Sequence, residues 1–184
     1  MNFEEHRGKV VFAAGMLAAL SLGWRGLPVA LFEHRPQPVA FSHKVHADKA
    51  AMKCEDCHAL REDGSFTGIP PLDKCSGCHT QPIGDTRAEK QMIERYVTPN
   101  REIPWQVYAR QPEHVHFSHA GHLKLARLDC KQCHGKQGDI DQPPAATIDR
   151  ISGYSQSSHW LNMDACSDCH SQRGADGSCL ACHK

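Results

Sequence analysis

Phe41-Ser42-His43-Lys44-Val45-His46 stands ahead of Cys54-Glu55-Asp56-Cys57-His58, and 76 residues later Phe117-Ser118-His119-Ala120-Gly121-His122 stands ahead of Cys130-Lys131-Gln132-Cys133-His134. Every matched element keeps that offset, and Val39 and Val115 extend the match. A fixed offset of this kind marks an internal duplication. Each copy is followed by a second word of the same form, Cys75-Ser76-Gly77-Cys78-His79 and Cys166-Ser167-Asp168-Cys169-His170. The second copy carries an insertion between Gly135 and His159. A fifth word, Cys179-Leu180-Ala181-Cys182-His183, lies near the C-terminal end.

All ten cysteines fall within these five CxxCH words. CxxCH is the attachment signature of c-type haem. Its two thiols form thioethers with the haem vinyl groups, and the adjacent histidine becomes an axial ligand of the iron. Zinc sites draw four ligands from two CxxC pairs, so five words do not divide evenly among them. Neither zinc, nor a redox dithiol, nor a disulfide scaffold requires a histidine directly after the second cysteine. The sequence therefore predicts at least five covalent haems, with His58, His79, His134, His170 and His183 as proximal ligands. An additional haem bound without CxxCH would leave no mark in the sequence.

A haem iron in an electron carrier needs a second axial ligand. Each FSHxxH stretch supplies two histidines, and each copy has two CxxCH words, so the count closes for four bis-histidine haems. Histidines three apart share one side of a helical turn yet diverge enough to reach two irons. The predicted distal ligands are His43, His46, His119 and His122, with their assignment to particular haems open. For the fifth haem His159 is the first choice, and Met163, His116 and His114 are alternatives; methionine would raise the potential. His6 and His34 flank the apolar segment and read as interfacial residues.

The chain has 184 residues, with 21 basic and 21 acidic side chains and a formal net charge of zero. That balance argues against a nucleic-acid binder, which shows a basic excess or stripe. Outside the first thirty-two residues the apolar complement is thin, so the haem faces are expected to supply much of the core. The predicted fold is mainly α with little regular structure: short helices around each CxxCH, few strands and many loops.

The N-terminal segment carries Arg7 and Lys9 before an apolar run from Val10 to Trp24; Arg25 interrupts it, and Gly26 to Phe32 is apolar again. Val10 to Phe32 spans about 35 Å as a helix, enough to cross a bilayer core. Pro28 is expected to end or kink that helix. No clean small-residue cleavage site follows, so residues 1–32 read as an uncleaved signal-anchor rather than a removed signal peptide. Arg7 and Lys9 would hold the N-terminus in the cytoplasm. Residues 33–184 would then form a periplasmic haem domain, with modules 39–79 and 115–170 and an added motif at 179–183. Between the modules, Thr86 to Val97 reads as a helix with an apolar face of Met92, Ile93, Tyr96 and Val97. Pro99 to Pro112 reads as a connector, and Gly135 to Ser158 as a loop of functional or partner-binding character.

FSHxxH ahead of CxxCH resembles the class III multihaem cytochromes, the cytochrome c3 and c7 group. The order of elements is more specifically similar to the membrane-anchored multihaem subunits of two bacterial respiratory complexes, menaquinone reductase of sulfate reducers and the quinol-oxidising alternative complex III. The matching elements are the single anchor, Phe41-Ser42-His43-x-x-His46, Ile103-Pro104-Trp105, His116-Phe117-Ser118-His119-x-x-His122 and the closing pair of motifs from Cys166 to His183. They span nearly the whole chain, and the likeness is closer to the menaquinone reductase subunit. Unlike ordinary cytochrome c3, the chain has an anchor, five motifs instead of four and no CxxCHH. The resemblance implies a non-catalytic electron-transfer subunit in the cytoplasmic membrane. Its implied partners are a molybdopterin-oxidoreductase-like subunit, an iron–sulfur subunit and a polytopic quinone-binding subunit, with soluble periplasmic cytochrome c3 as electron donor. The competing readings are a free-standing quinol dehydrogenase, a catalytic multihaem reductase, which would need an open iron position, and a haem sensor, for which no signalling domain remains.

Overall fold

The computed structural model describes residues 3–108, 113–156 and 162–183. Helix α1 (Phe3–Leu31) runs through Pro28 without ending there. The expectation that the helix ends at Pro28 is thus corrected. Proline in a lipid-facing helix removes one donor, and neighbouring backbone adjustments can satisfy the freed carbonyl. Val10, Phe12, Leu20, Leu22 and Trp24 are all well exposed, so α1 is apolar on every side. A helix of that kind fits a lipid surround. Its span His6–Leu31 has mean hydropathy 1.6, which makes it a candidate membrane anchor.

Strand β1 (Phe32–Arg35) continues directly from α1 and pairs antiparallel with β2 (Ala146–Asp149), Phe32 opposite Asp149 and Arg35 opposite Ala146. The β2 strand pairs in turn with β3 (Ser155–Gln156), giving the order β1-β2-β3. A turn joins β2 to β3, with Gly153 at φ 71° and the Asp149 carboxylate accepting the Ile151 and Ser152 amides at 2.8 and 2.9 Å. The insertion read from sequence as a loop therefore contains two strands, together with a 3-10 turn at Gln137–Asp139. It is also docked on the first module. Lys44 N–H donates to Ile140 O at 3.1 Å, and Gln37 Nε2 donates to both Gln106 O and Pro144 O at 2.9 and 3.1 Å.

The remaining helices are short: α2 (His43–Ala50), α3 (Cys54–Cys57), α4 (Leu72–Ser76), α5 (Arg87–Met92), α6 (Cys130–His134), α7 (Met163–Arg173) and α8 (Cys179–Cys182). Thr86 caps α5 by accepting the Glu89 amide at 3.2 Å, and the helix widens into a π turn over Ile93–Val97. Leu72, Met92, Ile93, Tyr96 and Ile103 form the side-chain core, with Val39, Cys75, Val97 and Trp105 packed around it. The expected apolar face of the 86–97 helix is thus the centre of that core.

The two copies share local geometry. Phe41 lies edge-on to His43 (4.8 Å, 88°) and stacks on His46 (4.4 Å, 26°); Phe117 does the same to His119 (4.8 Å, 89°) and His122 (4.6 Å, 27°). Both turns end through a residue of positive φ, Ala51 at 54° and Arg127 at 52°. The next amides, Met52 and Leu128, return to the carbonyls of His46 and His122 at 3.1 and 3.0 Å.

Candidate functional site

Within each CxxCH word the two cysteines lie three residues apart on a helical turn, which puts both thiols on one face. In four of the words the helix then ends or turns at the histidine, whereas α7 continues through His170 to Arg173. The His58 amide closes α3 on Cys54 O at 2.8 Å, and the His183 amide closes α8 on Cys179 O at 2.9 Å. The same geometry recurs at Cys75, where the His79 amide donates to Cys75 O at 2.9 Å.

Among the described residues, five histidine rings donate through Nδ1 to a carbonyl or carboxylate oxygen. His46 donates to Ser42 O (2.7 Å), His122 to Ser118 O (2.8 Å), His58 to Gly68 O (2.9 Å), His170 to Asp176 O (2.7 Å) and His79 to Glu89 Oε1 (2.8 Å). A carbonyl oxygen only accepts, so in the first four the proton sits on Nδ1 and Nε2 keeps its lone pair. That is the tautomer of a metal-ligating imidazole fixed by an outer hydrogen bond.

The distal candidates meet the CxxCH histidines in pairs. His46 faces His79 with ring centres 6.0 Å apart, His119 faces His134 at 6.4 Å and His122 faces His170 at 6.1 Å. Burial, followed by the charges of His58 and His46, holds the His43 pKa below the usual histidine range. Burial, then the neighbouring histidines, depresses His119 in the same way. His46, His119 and His122 therefore each face a different CxxCH histidine. A fourth ring pair forms between His114 and His183 at 5.9 Å and 12°. Backbone contacts hold it: Val115 bridges to His183, and the His116 amide donates to Cys182 O at 2.6 Å.

These separations test the fit of a haem iron. Two metal–imidazole bonds of ~2.0 Å, each with ~1.1 Å from nitrogen to ring centre, put the ring centres ~6.2 Å apart. The four measured pairs, 5.9 to 6.4 Å, match that span. Burial first, then neighbouring negative charge, pushes the Cys57, Cys75, Cys133 and Cys166 thiols up.

Of the residues proposed for the fifth haem, His159 lies outside the described residues. Met163 begins α7 and is well exposed at 69%. His34 sits in β1, with Nδ1 3.0 Å from Thr147 Oγ1. Two residues were not anticipated. Phe66 lies between the modules, stacked on His119 at 4.2 Å and on His58 at 6.1 Å. Glu89 reaches His79; the only local signal for it is the Thr86-x-x-Glu89 spacing of a capping box.

Comparison with known proteins agrees with this arrangement. Residues 28–103 match the class III cytochrome c family, and residues 115–184 match cytochrome c7 and related cytochromes c. The chain is 35% identical over 192 aligned positions to the menaquinone reductase multihaem cytochrome c subunit of Nitratidesulfovibrio vulgaris, covering 96% of this chain and 90% of that one. The chain belongs to this family. It is a multihaem cytochrome c of electron transport, carrying covalently bound c-type haem. The subunit's boundary between the two family matches, residues 104–114, coincides with the connector that leads into the second FSHxxH. The fold and family thus agree with a subunit of an oxidoreductase complex rather than a self-contained enzyme.

Proposed function

We propose that this chain is the electron-relay subunit of a membrane menaquinone reductase, holding five haems between a soluble periplasmic cytochrome c3 and the iron–sulfur and quinone-reactive subunits. The observation that carries the proposal is the set of histidine pairs spaced for one iron each, every pair containing one CxxCH histidine. The pairings are His43 with His58, His46 with His79, His119 with His134, His122 with His170, and His114 with His183. Bis-histidine iron supplies one-electron exchange without an open coordination position. A relay is favoured over a catalytic reductase for that reason.

In this reading the sites form a row whose order differs from the sequence and follows which thiols feel one another's charge. Cys75 neighbours Cys57, and the Cys130 thiol lies within hydrogen-bonding reach of Cys54. Cys133 neighbours Cys169, and Cys166 neighbours Cys182. The motifs therefore follow one another as Cys75, Cys54, Cys130, Cys166 and Cys179. The first motifs of the two copies meet at the centre, and Phe66 fills the junction between their histidines. Helix α1 is retained as the anchor, with the haem domain on the periplasmic side and α1 beside a polytopic partner. A molybdopterin-oxidoreductase-like subunit and an iron–sulfur subunit complete the complex.

Purification of the complex from native membranes tests this reading. Five haems per chain, all low-spin, with reduction by cytochrome c3 and reoxidation by a menaquinone analogue, are expected. A chain that emerges alone and reduces the quinone analogue unaided overturns it.

A further inference from the structure

The duplicated sites at His79 and His170 have the same distal arrangement but different proximal hydrogen bonds. The distal rings, His46 and His122, both donate to the carbonyl of the serine that opens their turn, at 2.7 and 2.8 Å. On the proximal side His170 donates to a backbone carbonyl, Asp176 O, as His58 does to Gly68 O. His79 alone among these rings donates to a carboxylate, Glu89 Oε1 at 2.8 Å.

The carboxylate is held in place. Glu89 Oε1 also accepts the Ile83 amide at 2.8 Å, and Oε2 accepts the Gly84 amide at 2.9 Å. The Glu89 side chain is 11% exposed and that of His79 is 19%. A glutamate three residues into a helix normally turns back to cap its own N-terminus. Here the Gly84 end and the imidazole take both oxygens instead.

We propose that Glu89 is a potential-tuning residue that makes the His79 site more reducing than its duplicate at His170. This rests on the reading that His79 ligates a haem iron. A hydrogen bond to a fixed carboxylate is charge-assisted and stronger than one to a carbonyl. It draws the Nδ1 proton away and leaves more electron density on Nε2, which raises the basicity of the ligand. A more basic axial ligand favours ferric over ferrous iron. The limited exposure of both side chains reduces solvent screening of that effect. The His79 site lies at the Cys75 end of the row, so the duplication produces two like sites and Glu89 makes them unequal.

The experiment is Glu89→Gln in the full holo-chain within its complex, read by redox titration with optical and electron paramagnetic resonance detection. One haem should become at least about tenfold easier to reduce, about 59 mV for one electron, while all haems stay low-spin. Unchanged potentials with an intact low-spin spectrum overturn the tuning role and leave Glu89 a structural cap. The unaltered protein gives a second test that does not depend on folding of a variant: one haem must show the resonance signature of a more anionic imidazole, and five equivalent axial fields overturn the proposal. His79→Ala separates the two readings. If it leaves every haem low-spin, the ligand assignment itself fails; if it turns one haem high-spin while Glu89→Gln changes nothing, only the tuning fails.

Discussion

The imidazole rings of His114 and His183 lie 5.9 Å apart and within 12° of parallel, although the whole second module separates them in sequence. The adjacent Val115–His183 bridge and the bond from the His116 amide to Cys182 O make the pairing a property of the backbone and not only of two side chains. His114→Ala should convert one of the five haems to high-spin, seen as one lost low-spin resonance signal. His116→Ala and His159→Ala should leave the count unchanged. A high-spin haem in the His159 variant instead would reverse the assignment.

Phe66 is stacked between a histidine of each module. Each aromatic contact contributes roughly 0.5–1.5 kcal/mol beyond burial, so Phe66→Ala should destabilise the holo-domain by about 1–3 kcal/mol. Denaturant unfolding measures that loss. Magnetic coupling between the two central haems should weaken in the same variant.

Ile93 is 8% exposed at the centre of the side-chain core with Leu72, Met92 and Tyr96. Ile93→Ala should cost about 2–5 kcal/mol. Thr86→Ala, which removes only the cap of α5, should cost about 1 kcal/mol. Thermal unfolding of the two variants should rank them in that order, and the reverse order would place the stabilising contacts elsewhere.

The Asp149 carboxyl lies below the usual carboxylate range because the Ser152 and Ile151 amides donate to it. A depressed folded pKa means the stabilisation is present above the unfolded value and is lost as pH falls through the folded one. The β2–β3 turn should therefore loosen in acid, with faster amide exchange at Ile151 and Ser152. Asp149→Asn should remove that pH dependence, and an unchanged acid profile would show that another group controls the turn.

The parts of the structure legible in the sequence are those governed by local spacing. CxxC spacing placed paired thiols on single turns, and FSHxxH predicted diverging imidazoles, of which the fold brings His46, His119 and His122 to three different CxxCH histidines. The apolar face of Met92, Ile93 and Tyr96 was readable from helical period. What was not legible depends on distant partners. Ala146-Thr147-Ile148-Asp149 is too short a run, flanked by Pro143-Pro144 and Gly153, to be distinguished from a loop until β1 lies beside it. His114 carries no local sign of its mate at His183. Glu89 fits an ordinary helix start, and only the fold brings its carboxylate to His79. Pro28 looked like a stop signal because its cost within a helix is high, yet α1 carries it without ending.

The seam between α1 and β1 has a mechanical consequence. No slack residue separates Leu31 from Phe32, the Arg150 amide is bonded to Leu31 O at 2.8 Å, and β1 is then zipped along β2. A flexible linker would let a tethered domain wander by roughly 5–6 Å times the square root of its length. This domain stands on its helix as on a mast. Where the end of α1 is seated, the reach from it to the strand-borne insertion is set by the fold rather than averaged over motion.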